Sequence, residues 1–205
     1  MRRPCIITME RKTKKEKKDA KSRIVSAAWQ LFHEKGYGGT TVDDIIALSD
    51  TSKGSFYYYF NTKDELLNTL SVVLDDYYGE LEAELDPGMN SFDKLLYLNG
   101  KVHAYMQEKM SAELLGSLYS AQLVTAGDNS LLDQNRTYYR LITKLVEEGQ
   151  KRGQIRADMP VSAITKYYAM CERALVADWC MNKGSYQLGD YSRECMAMMM
   201  EHFRV

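Results

Sequence analysis

The stretch Ser52-Lys53-Gly54-Ser55-Phe56-Tyr57-Tyr58-Tyr59-Phe60, with Lys63 close behind, gathers small hydroxyls, two ammonium groups, a glycine and three phenols within twelve residues. The chemistry these groups share is recognition of oxyanions. The hydroxyls of Ser52 and Ser55 and the free amides at a helix start can donate to phosphate oxygens. Lys53 opens a helix, where the macrodipole disfavours a cation, so local propensity does not explain it. Against a duplex it reaches a phosphate or a guanine edge. Gly54 leaves room for close approach, and Lys63 adds a second cation. On a helix Phe56 and Phe60 lie four apart and share one face, which points inward. The three tyrosines fan around the rest. Tyr57 is assigned to the nucleic-acid side, where its ring packs on sugar or a thymine methyl and its hydroxyl meets phosphate. Tyr58 or Tyr59 is expected to pack partly inside.

The elements that must hold this stretch are helical. Ile24, Ala27, Ala28, Leu31 and Phe32 repeat at the spacing of one helix face. Gly36 ends that helix as a C-terminal residue free to turn left-handed. Thr41 and Asp44 form a variant capping box that starts a second, short helix, which stops near Ser49-Asp50. Ser52 caps a third, and Thr62 with Glu65 reads as the capping box of a fourth. The fourth is expected to run to Pro87 as about 24 residues, roughly 36 Å, a strut between two regions. Five further helices are predicted near 92–110, 112–126, 130–151, 160–183 and 190–203. The chain is thus expected to be all-α, with a helix-turn-helix domain over 1–66, a long connecting helix and a helical domain over 67–205.

Charge is divided unevenly along the chain. Arg2 to Arg23 holds ten basic residues against three acids, a net of +7, whereas Ser71 onward holds 14 against 19, a net of −5. A basic head on an acidic body suits a polyanion at one end and salt-sensitive, sequence-independent affinity from the tail; a lysine run is also an ordinary solvated tail. Met9 opens Met-Glu-Arg-Lys, so translation is expected to start at either Met1 or Met9. The cysteines, Cys5, Cys171, Cys180 and Cys195, form no CxxC and no zinc spacing. No phosphate-binding loop, dinucleotide fingerprint, HExxH or spaced nucleophile pair occurs, so no catalytic residue, metal or cofactor is expected and an enzyme is not the reading. No apolar run could span a bilayer, and a cytoplasmic protein is expected.

Ile24 to Leu67 resembles the DNA-binding domain of the TetR family of bacterial transcriptional regulators. The resemblance covers about a fifth of the chain. It rests on the Ala-Ala…Leu-Phe face, Gly-Tyr, Thr-Thr-Val, Ser-Lys-Gly, Phe-Tyr-Tyr-Tyr-Phe and Lys-Asp-Glu-Leu-Leu, in order and spacing. It implies that Thr41, Ser52, Lys53, Tyr57, Tyr58 and Lys63 face a double-stranded DNA operator, chiefly its backbone; Thr51 and Ser55 are weaker carry-overs. Ser49-Asp50-Thr51 departs from the family's usual Ala-Gly-Val. Asp50 can still make the turn, and Thr51 is more polar than the usual valine.

The resemblance further implies a homodimer through the last two helices and a body that binds a small hydrophobic or aromatic effector. The sequence is compatible with both. Val161, Ile164, Tyr168, Cys171 and Leu175 mark one face of a helix; Met170, Ala174 and Ala177 mark another, and methionines crowd the last helix. Two apolar faces need two partners, whether a second copy or one large core. Tyr97, Tyr105, Met106, Tyr119, Gln122, Tyr138, Tyr168 and Trp179 are the candidate ligand wall, with His103 a hydrogen-bonded histidine nearby. The same residues would also suit an ordinary core. The leading expectation is a repressor released from a pseudo-palindromic operator by its effector. The alternative is a dimeric DNA-binding protein without an effector, controlled by a protein partner.

Overall fold

A computed structural model describes residues 20–124 and 130–205. The basic segment before Ala20, Cys5 and the candidate start at Met9 lie outside the described residues. The described residues fall into two compact units, one ending at Thr69 and the other beginning at Leu70. They are all-α, apart from an isolated bridge between Ile155 and Arg204.

The first unit carries α1 (Ala20–Lys35), α2 (Val42–Ser49), α3 (Lys53–Tyr59) and α4 (Lys63–Leu67). Its core is the face read from the sequence: Ile24, Ala27, Ala28, Leu31 and Phe32 on α1, joined by Ile45, Phe56, Phe60, Leu66 and Leu67. Thr41 caps α2 in a two-way box with Asp44, as its spacing indicates. Gly36 has φ 76° and Asp50 φ 50°, so both turn left-handed where expected. Thr62, however, makes no side-chain cap. Glu65 reaches past it and accepts from Asn61 N at 2.9 Å and Asn61 Nδ2 at 2.8 Å. Asn61 supplies both donors that Glu65 accepts, and the Thr62 hydroxyl caps nothing.

The second unit carries α5 (Thr69–Glu84), α6 (Ser91–Lys109), α7 (Ala112–Val124), α8 (Thr137–Lys151), α9 (Val161–Met181) and α10 (Leu188–Met200). The expected single helix over 62–86 is divided at Asn68. There the Thr69 hydroxyl donates to Leu66 O at 2.6 Å and Asn68 N bonds to Glu65 O, a tighter turn than the α ladder. The helix expected over 130–151 begins only at Thr137. Asp133 takes the Asn135 amide at 2.9 Å in a side-chain turn that the apolar pattern does not record. Arg136 then stands at the cap position, bound to Asp75. The stripe Tyr138, Leu141, Ile142, Leu145 and Val146 is buried as read, as are Ile164, Tyr168, Cys171 and Leu175 of α9.

α10 packs closely against α6. A Cβ on Gly189 would stand 2.7 Å from Ala104 Cβ and 3.0 Å from Ala104 backbone atoms. Gly79, on the exposed side of α5, has nothing within 4 Å of the same position. Helix propensity favours alanine at both sites, so their outcomes separate propensity from packing. Gly189→Ala is expected to lower stability by about 1–3 kcal/mol through overpacking. Gly79→Ala is expected to raise it by about 0.5–1 kcal/mol. Urea unfolding followed by circular dichroism reads both.

Candidate nucleic-acid interface and body cleft

The candidate interface is built on α3, seven residues long. So short a helix is not stable alone; its orientation comes from Phe56 and Phe60, whose rings sit 6.0 Å apart in the core. With those two faces committed, Tyr57, Tyr58 and Tyr59 point outward, at 46, 81 and 36 % exposure. Tyr59, edge-on to Tyr58, is the least exposed of the three. Of the two tyrosines expected to pack partly inside, Tyr59 is the more covered; Tyr58, two residues past Phe56, lies farthest from the buried face.

Ser52, Lys53 and Gly54 are exposed beside the tyrosines. Ser52 Oγ accepts from Ser55 N at 3.1 Å and pairs with Ser55 Oγ at 3.0 Å, so the two hydroxyls form one polar spot at the helix start. Lys53 Nζ is 3.6 Å from Asp43, with both side chains mostly in water, a pairing worth little. The turn before α3 is held by Arg23, which donates to Ser49 O at 3.1 Å and Asp50 O at 2.8 Å. Thr51 pairs its hydroxyl with Ser49 at 2.8 Å. Thr41 Oγ1 is engaged with Asp44 at 2.7 Å, a contact that, with Lys35, holds the Asp44 carboxyl well below the usual carboxylate range. Lys63 does not stand out as a free cation. Its ammonium donates to Tyr37 O at 2.7 Å and Thr40 O at 2.9 Å and lies 4.0 Å from the Tyr37 ring centre, closing the loop before α2. The structuring roles of Arg23 and Lys63 escape sequence reading because both look like ordinary members of a basic set.

The second unit holds a small cleft of about 50 Å³, walled by residues that include Tyr78, His103, Met106, Tyr119, Arg136, Tyr138 and Glu172. Of the candidate ligand wall, Met106, Tyr119 and Tyr138 line it, and His103 joins them. The others lie elsewhere. Tyr105 stacks on Tyr77 at 4.2 Å, and Tyr97 lies 5.5 Å from the Lys101 ammonium. Gln122 accepts from Leu131 N at 3.2 Å. Tyr168 donates to Leu95 O at 2.8 Å and Trp179 to Tyr186 O at 2.9 Å, both as satisfied core groups. The residues missed were Glu172 and Arg136. Glu172 is an acid in the apolar series Tyr168, Glu172, Val176 and Trp179, all buried, and that interruption was the available signal. Arg136 binds Asp75 bidentately, at 2.9 and 3.2 Å, and also donates to Ser71 O at 3.2 Å. Asp75 accepts in turn from Tyr138 N, so one ion pair ties α5 to the start of α8 at the edge of the cleft. A separate open groove of about 710 Å³ runs between α8 and α9, lined by residues including Tyr139, Thr143, Val161 and Arg173. Arg173 also borders the cleft and donates to Tyr139 Oη at 3.2 Å.

Among the described residues no cluster could hold a metal ion, and no helix is long and apolar enough to cross a membrane.

Two family descriptions match the chain: "Bacterial regulatory proteins, tetR family" over residues 24–70 and "YsiA-like protein, C-terminal region" over 127–202. The HTH-type transcriptional regulator TtgR of Pseudomonas putida is 24 % identical over 197 residues, which cover 90 % of this chain and 92 % of TtgR. Among solved structures, the TetR-family repressor FadR of Thermus thermophilus with lauroyl-CoA superposes with TM-score 0.71 and 18 % identity, over 90 % of this chain and 95 % of that one. FadR of Bacillus subtilis with stearoyl-CoA gives 0.68 and 19 %, over 87 % and 97 %.

Burial holds His103 neutral, with its pKa down to about 3 from an ordinary 6.5. The unfolded chain binds this proton below about pH 6.5 and the folded chain does not, so the stability tied to it is full above 6.5 and falls with acidification. Burial raises the Glu172 carboxyl, which acts in the opposite sense above its unfolded value. The comparison that isolates the imidazole is therefore wild type against His103→Asn. Between pH 6 and 4 the stability of the wild type relative to the variant is expected to fall by about 1.4 kcal/mol per pH unit, as read by urea unfolding at each pH.

Proposed function

The chain belongs to the TetR family of bacterial transcriptional regulators, and on that premise we propose that it is a dimeric, ligand-responsive repressor. The observation that carries the DNA-binding half is the row from Ser52 to Tyr58. A polar helix start and two exposed phenols stand on a helix pinned by two buried phenylalanines. In a helix-turn-helix the second helix enters the major groove and the first crosses the backbone, so α3 reads the groove. Lys53, Tyr57, Tyr58 and the Ser52–Ser55 pair meet phosphates and base edges. Thr41 and Thr51 border the same side, and Gly54 lets the backbone approach. Lys63 acts by holding the loop before α2 in place.

Dimerisation is supported by apolar side chains that one copy leaves bare on its last two helices: Met170 and Met181 on α9, Tyr191 and Met198 on α10. A second copy related by a two-fold axis covers them. It also sets two recognition helices at half-sites about 34 Å apart on a pseudo-palindrome. The effector half is supported by acyl-CoA in the two FadR proteins and by the polar cleft of this chain. The cleft, at about 50 Å³, holds a head group and not a whole ligand of the usual 300 Å³ or more. The rest of the effector lies in a widened cleft or in the groove beyond Arg173. Displacing Arg136 from Asp75 would free α5, which follows the DNA-binding unit in sequence, and release follows only if the effector prefers that state. The reading without an effector, under protein control, is favoured by the small volume of the closed cleft.

Selection of sites from randomised duplex DNA supplies the operator for a direct test. Enriched sites are expected to be pseudo-palindromic. A Lys53→Ala, Tyr57→Ala double variant is expected to lose about 1–3 kcal/mol of affinity, roughly 5- to 150-fold, with a shallower salt dependence. Fluorescence anisotropy at several salt concentrations reads this, and full affinity in the double variant would remove α3 from the interface.

A further inference from the structure

Glu172 lies wholly inside the second unit, and no ion pair among the described residues includes it. The two nearest cationic side chains at the cleft have other commitments. Arg136 is held by Asp75, and Arg173 donates to Tyr139 Oη at the groove. The groups hydrogen-bonded to the Glu172 carboxyl are neutral, and Arg173 acts on it through charge alone, after burial and those bonds. Asn99 Nδ2 donates to it at 3.2 Å, the Tyr138 hydroxyl bonds to it, and the Tyr168 hydroxyl stands against it while giving its proton to Leu95 O. His103, uncharged, contacts the same Asn99 amide at 3.4 Å. One acceptor is left over: Asn99 Oδ1, fully buried, has no hydrogen-bond partner.

A buried carboxyl with no ion-pair partner and a buried amide oxygen without a donor are both unfavourable. Neither improves the packing of the apolar helices around it. Both become favourable once a donor arrives. The carboxyl borders a cleft of about 50 Å³, room for a few water-sized groups. The walls beside it are the rings of Tyr78, Tyr119 and Tyr138 and the thioether of Met106. Phenol faces carry negative potential and attract cations. Arg136 and Arg173 also border the cleft, Arg136 held by Asp75 and Arg173 donating to Tyr139, so the carboxyl and the π faces are what is left to meet an incoming donor. This is the complement of a positively charged nitrogen with N–H donors.

We infer that the cleft at Glu172 takes the protonated amine head of an otherwise apolar effector, with Glu172 as its counter-ion and the Asn99 amide holding that carboxyl in place. The inference rests on the effector reading above. It adds a sign of charge that the acyl-CoA ligands of the FadR neighbours do not share.

Three probes of equal chain length separate head-group charge from tail: n-octylammonium, 1-octanol and octanoate. Each is titrated into the full-length protein by calorimetry, and each is added to the protein on its selected operator duplex. Wild type is expected to bind n-octylammonium at least tenfold tighter than 1-octanol, and octanoate more weakly still. Glu172→Gln should bring n-octylammonium down to the level of 1-octanol while leaving 1-octanol and operator binding unchanged. If Glu172→Gln does not fold, the wild-type ranking decides the matter together with Asn99→Leu, which should weaken n-octylammonium severalfold. Equal or tighter binding of octanoate or 1-octanol overturns the proposal, as does a preference that survives Glu172→Gln. Lauroyl-CoA and stearoyl-CoA are the control for the parent reading. Release by either, with no response to n-octylammonium, would sink the amine and keep the effector. No response to any of the five compounds counts against both.

Discussion

The DNA-binding unit depends on the burial of two phenylalanines four residues apart. Phe56 and Phe60 are both nearly sealed from solvent, and everything else on α3 follows from where they must go. A seven-residue helix gains too little from its own hydrogen bonds to form alone. Its stability comes from what it buries, and its rotation about its axis is set by the same two rings. The three residues between them are left with the outward sectors of the helix. Three adjacent tyrosines are tolerated here because none has to bring a hydroxyl into the core, where each would need a partner. The composition of the row is the visible result of a helix anchored by one face and left open to solvent on the other.

The loops around that anchor are closed by charge. Arg23 grips the carbonyls of Ser49 and Asp50, and Lys63 grips those of Tyr37 and Thr40. Each covers acceptors that a helix end or loop leaves unpaired. Asp50 takes the left-handed turn in place of glycine, and Arg23 helps hold the strained residue. Part of the positive charge in this unit is therefore internal mortar. A count of basic residues overstates how many cations are free for phosphate.

Most of the first unit was legible in the sequence because its signals are local. The faces of α1 and α3, the box at Thr41, the turn at Asp50 and the cap at Ser52 each depend on residues within a few positions of one another. The failures there were also local, at Thr62, whose hydroxyl caps nothing while Glu65 turns to Asn61, and at Asn68, where the Thr69 hydroxyl takes the Leu66 carbonyl. In the body the helices were legible and the cleft was not. Met106, Tyr119, Tyr138 and His103 reach it, whereas Tyr97, Tyr105, Gln122, Tyr168 and Trp179 go to stacking, surface or satisfied core positions. Aromatic type does not distinguish these fates. They are settled by contacts between residues such as Asn99 and Glu172, 73 positions apart. The sharper signal was an acid at a core register of α9, a choice that packing alone would not make.

That acid bears on how far a shared fold carries ligand chemistry. The fold is close to that of proteins that hold acyl-CoA, yet identity of 18–19 % constrains the helix scaffold and not the side chains that line its interior. An acyl chain asks for a long apolar tunnel. The interior here instead spends its central volume on a carboxyl, an amide, an imidazole and several phenols, with a cleft of about 50 Å³ between them. Satisfying such a network takes many groups, and a half-satisfied one is worse than an apolar core. A chain that needed only a scaffold for α3 could fill the same positions with leucine at lower risk. The polar interior and the unpaired Asn99 oxygen are the part of this network that the proposed effector would complete.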